Sequence, residues 1–168
     1  MESVIGNINT DKKLKEKYDE MVSRNSYEMI KISRVESQRV RMRKSSDKGT
    51  DIVLTLKQGT LLRHGDVIML SENKMIIVEI EPENVLMVEI KENLHDDDVV
   101  EVPVSVGHLI GNLHRPIKLE GRKIYFPIQA DTELEMFKKL FIPMNEHIEV
   151  KTTRMVFEPD EGAKIHEH

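Results

Sequence analysis

Apolar and polar residues alternate in short runs through the first half of the chain. Arg39-Val40-Arg41-Met42-Arg43 places arginines on one side of a predicted strand, with Val40 and Met42 on the other. Strands rich in Ile, Val and Leu follow at residues 51–56, 67–70, 75–80 and 85–90. The turn segments 45–50, 58–60, 63–66 and 71–74 separate the earlier ones. That spacing predicts a small barrel or sandwich rather than βαβ units. At Glu81-Pro82-Glu83-Asn84 the pattern changes, and Pro82 cannot donate to a ladder, so a boundary is expected there. Beyond the acidic loop His95-Asp96-Asp97-Asp98, Val106, Leu109, Ile110 and Leu113 recur at helical steps and predict a helix over 103–114. Residues 117–119 and 123–126 read as a hairpin around Glu120-Gly121-Arg122. Asp131 is a suitable N-cap for a helix over 132–141, Pro143 ends it, and 146–157 is a last strand.

The expected fold is therefore α+β. A small N-terminal all-β domain (1–81) precedes a ferredoxin-like βαββαβ domain (82–157) and a flexible tail (158–168).

Composition narrows the chemistry. The 168 residues contain no cysteine, which excludes disulfides, thiolate metal sites and thiol catalysis. No apolar run approaches the ~20 residues of a membrane span, and no basic-then-apolar leader opens the chain, so a cytoplasmic protein is expected. The net charge of −5, with aromatic residues at only 4 %, argues against nucleic acid as a partner. Seven basic residues nevertheless fall between Lys31 and Lys48 against only Glu36 and Asp47, readable as a solvated strand face or as a surface for an acidic partner. No phosphate loop, dinucleotide fingerprint or nucleophile elbow is present, so an enzyme is not expected. The ten methionines are scattered in a way that suits core filling. Seven histidines leave metal binding as the chemistry with most support, and His166-x-His168 places two imidazoles close together.

At Gly111-Asn112-Leu113-His114-Arg115-Pro116 the sequence resembles the Gly-Asn-Arg-His motif of UreE, the urease accessory family that carries nickel. Similar correspondences run through Val4-Ile5-Gly6-Asn7-Ile8, the basic strand 39–43, and Gly59-Thr60-Leu61-Leu62-Arg63-His64-Gly65-Asp66. They continue through Pro82-Glu83-Asn84-Val85-Leu86 and Phe157-Glu158-Pro159-Asp160-Glu161-Gly162-Ala163. Only about 10–27 looks additional. The resemblance implies a homodimer, with metal a dimer of dimers, in which His114 of each chain grips one Ni²⁺ across the axis. Tail histidines, here His166 and His168, supplement that site. The ion is cargo, for which Zn²⁺ or Cu²⁺ would compete, and the implied recipients are an accessory GTPase and the urease apoprotein complex. Asn112 either orients His114 or serves the helix end. His108, roughly 120° out of phase with His114 on an ideal helix, falls near the interface rather than among the ligands.

The sequence departs from the family pattern in three places. Leu113 stands where arginine is usual. Gln129 and Asp131 cannot reproduce a His-x-His pair that some members carry, and the histidine-bearing end is short, so storage of many ions is not expected. A different class of function, a module that binds client peptides through its β-domain with incidental metal binding, is the alternative.

Overall fold

The computed structural model describes residues 3–160, the side chain of Asp131 excepted. The chain divides into two compact units at Glu81/Pro82.

The first unit contains β1 (Gly6–Asn7), α1 (Lys12–Ser23), β2 (Tyr27–Ile32), β3 (Arg41–Ser45), β4 (Asp51–Thr55), β5 (Asp66–Leu70) and β6 (Met75–Ile80). A four-stranded sheet has the order β1-β5-β6-β2, while β3 and β4 pair as a separate ribbon. The β2–β6 pair is parallel, with Ile30 opposite Val78.

Two elements lie outside the expected β pattern. Helix α1 begins where the Asp11 carboxylate accepts the N–H groups of Lys13 and Leu14, at 2.9 and 3.1 Å. Its Leu14 and Met21 are buried with Val67, Met75 and Ile77, and Tyr18 packs at the margin. Three residues at steps of four and three anchor a helix whose other positions are mostly charged. Strand β2 turns Glu28 inward beside Ile30 and Ile32, which breaks its apolar alternation. Ser46 Oγ donates to Glu28 Oε2 at 2.5 Å, and Lys74 Nζ stands 2.8 Å from Oε1 while donating to Thr50 Oγ1. Burial alone would raise the Glu28 pKa. The bonds from Lys74, Ser46 and Thr50 outweigh it and bring the value down to about 2.

The second unit runs β7 (Glu83–Ile90), α2 (Asp98–Asn112), β8 (Lys118–Glu120), β9 (Lys123–Pro127), α3 (Asp131–Leu140) and β10 (Ile148–Met155). The sheet order β10-β7-β9-β8, with every neighbour antiparallel, is the ferredoxin-like arrangement of a βαββαβ chain. Leu86, Val88, Ile124 and Phe126 of the sheet form one core with Val102, Val106 and Ile110 of α2 and with Phe137 and Phe141.

Helix α2 starts five residues before Pro103. Asp98 and Glu101 in its first turn complement the positive helix end, and buried Val102 holds that turn on the sheet. Pro103 lies inside the helix, where its ring removes the bond its own N–H would have made to the Val99 carbonyl and crowds that oxygen. Helix α3 starts at Asp131, with Ala130 in the N-cap position.

Candidate functional site

The inner face of α2 is set by Val102, Val106 and Ile110 at steps of four, all buried. Its outer face carries Val100, Val104, Gly107 and Gly111 at steps of four, three and four. Both valines are nearly two-thirds exposed. A Cβ built on either glycine would meet nothing within 4 Å. Packing among the described residues therefore does not require these glycines, although glycine inside a helix costs about 1 kcal/mol relative to alanine.

The helix ends in a Schellman turn. His114 N–H donates to Gly111 O at 2.9 Å, and Arg115 N–H reaches Ile110 O at 3.4 Å. The position after the cap needs a left-handed backbone, and His114 adopts it at φ 51°. Glycine is the usual residue there, because an L side chain crowds the following carbonyl at a cost of roughly 1–2 kcal/mol. Pro116 keeps Arg115 out of the helical region and so stops the helix. An exposed imidazole thus projects from a defined turn at the end of an uncovered apolar helix face.

Arg115 fastens this turn from below. Its Nη2 stands 2.5 Å from Glu133 Oε1, and Glu133 Oε2 accepts the Gln129 N–H at 2.6 Å. Both side chains are about four-fifths buried.

The remaining expected site residues are dispersed. The Asn112 amide lies 3.1 Å from His108 Nε2, so it is engaged within α2. His108 is exposed and borders a cavity of about 440 Å³ with Asp98, Glu101 and His147, where His147 Nε2 is 3.9 Å from Asp98 Oδ2. His64 accepts the Ile80 N–H through Nδ1 at 3.3 Å, a structural contact. His166 and His168 lie outside the described residues. Among the described residues, no three His, Asp or Glu side chains are grouped so as to hold an ion.

The basic strand is largely neutralised internally. Arg43 makes a two-pronged pair with Asp51, and Glu36 serves Lys44 at 2.7 Å and Arg39 at 3.9 Å. The hydrogen bond from Lys44, with a backbone bond from Ser33, holds the Glu36 carboxyl below its ordinary range. Met42 is buried as its alternation predicts, whereas Val40 precedes β3 and is 43 % exposed.

Residues 1–81 match the family described as UreE urease accessory protein, N-terminal domain. Proteins named urease accessory protein UreE align over 80 % of the chain. The chain carries the N-terminal domain of the UreE family. The UreE of Natronomonas pharaonis is 29 % identical over 134 residues, which cover 61 % of that protein. Those of Yersinia pestis and Yersinia pseudotuberculosis are 25 % identical over 138 residues, covering 58 % of each. The chain thus spans about three-fifths of the length of these UreE relatives, which are named as accessory proteins rather than enzymes.

The left-handed turn at His114 and the Arg115–Glu133 pair escaped sequence reading. The signal available for the turn was Pro116, three residues beyond the helix cap, with no glycine between.

Proposed function

We propose that this chain is a nickel carrier for urease maturation. Two copies capture one Ni²⁺ through paired His114 imidazoles and release it to the maturation machinery in the cytoplasm, an accessory GTPase and the urease apoprotein complex. The observation that carries the reading is His114 itself. A histidine occupies a backbone position that glycine would fill at lower energy, and its ring faces solvent.

A single copy offers no complete ligand set among its described residues. A two-fold axis supplies a second imidazole without any new sequence. The outer face of α2, with Val100 and Val104 exposed and Gly107 and Gly111 clear of neighbours, suits close approach of the same face from another copy. His114 follows directly at its end. Two imidazoles and open water positions suit a borderline cation held reversibly, which delivery requires.

In this reading the tail histidines His166 and His168, which lie outside the described residues, supplement the same site. Asp160 N–H donates to Ile117 O at 3.1 Å, and its carboxylate accepts the Leu119 N–H at 2.9 Å. The chain therefore leaves the described structure beside a segment that starts three residues after His114. From there six residues reach at most about 20 Å, so His166 is able to join the ion.

Titration of nickel chloride into the full chain, followed by light scattering and calorimetry, tests this proposal. One ion per two chains is expected, with the tight phase lost in His114→Ala. Unchanged affinity in that variant, or a monomer at saturation, overturns it.

A further inference from the structure

The clamp beneath the metal-capturing turn is a device in its own right. We propose that Arg115 and Glu133 are positioning residues. Their ion pair holds the left-handed turn so that the His114 imidazole is presented in one orientation, an inference that rests on His114 being a ligand.

The turn is weakly held by its backbone alone. The left-handed conformation is unfavourable for histidine, and the second capping bond, Arg115 N–H to Ile110 O, is long at 3.4 Å. The side chain of Arg115 replaces that weak link. It crosses to Glu133 at 2.5 Å, and the other oxygen of Glu133 is fixed by the Gln129 N–H, which belongs to the connection between β9 and α3. The end of α2 is thereby tied to the start of α3 through one carboxylate. Arg115 Nε is buried without a partner among the described residues, so Glu133 carries the guanidinium without help from that nitrogen. The pair lies directly after His114, so loosening it frees the turn that carries the ring. Groups that orient a ligand typically change metal affinity 10–100-fold when lost.

The test compares the full-length parent with the double substitution Arg115→Met/Glu133→Leu, which removes both charges together and keeps the volume apolar. Two quantities are read: nickel chloride affinity, and amide hydrogen exchange at His114 and Arg115 against that of the buried Val106 and Ile110. The clamp predicts about tenfold weaker nickel binding and about tenfold faster exchange in the turn, with Val106 and Ile110 unchanged. Parental exchange in the turn overturns the clamp, as does acceleration of turn and core together. Faster exchange confined to the turn with parental nickel affinity overturns its role in metal capture. If His114→Ala binds nickel like the parent, the functional reading fails instead, and the turn's exchange in the double variant still decides whether the clamp exists.

Discussion

Replacing His114 by glycine should make the protein more stable while abolishing its proposed activity. The left-handed conformation at φ 51° costs a side-chain-bearing residue roughly 1–2 kcal/mol, and glycine removes that strain. Against this, glycine restores about 0.5–1 kcal/mol of conformational entropy to the unfolded chain. The ring of His114 is exposed, so little packing is lost with it. The net expectation is a stabilisation of about 0.5–1 kcal/mol, against little change or a small loss for His114→Ala, which keeps the strain. Native-state hydrogen exchange at Val106 and Ile110 reads the second unit alone, and their exchange should slow about two- to fivefold in the glycine variant. Both variants should lose tight nickel binding. Exchange as fast in His114→Gly as in His114→Ala would refute the left-handed strain. Retained nickel affinity would refute the ligand.

Other perturbations test separate links. Val104→Asp places a charge in the middle of the uncovered α2 face and should yield a monomer by light scattering, with nickel affinity lowered in parallel. A persistent dimer would assign the interface elsewhere. The depressed Glu28 pKa makes stability depend on acid in a defined window. Its contribution is complete above the ordinary value of 4.5 and is lost as pH falls toward about 2. That difference corresponds to about 3 kcal/mol, so urea unfolding of Glu28→Gln should show lower stability at neutral pH and a flatter decline below pH 4.5. A decline as steep as the parent's would mean that other carboxylates carry it.

Much of the second unit was legible because its elements are amphipathic on one consistent side. Val106 and Ile110 on α2, and Ile124 and Phe126 on β9, repeat at the periods of helix and strand, and the alternation of strands and helices dictated the βαββαβ order. Errors arose where a charged residue performs a buried task or a local rule competes with packing. Glu28 interrupts the alternation of β2 because Lys74 and Ser46 pair it inside. Helix α1 turns only Leu14, Tyr18 and Met21 toward the core, too sparse a stripe to stand out. The start of α2 is hidden by Pro103 and by aspartates that resemble a loop but favour a helix N-terminus. His114 was legible as a candidate ligand, whereas its backbone strain and the clamp below it depend on distant Glu133, which no local pattern connects to it. The basic strand promised a cationic surface that Asp51 and Glu36 largely cancel across the fold.

Anomalous diffraction at the nickel edge from crystals of the full chain grown with nickel chloride addresses the central claim most directly. The account predicts a single peak on a two-fold axis, within bonding distance of an imidazole nitrogen of His114 from each of two copies. A peak held by one copy alone, away from His114, would contradict it.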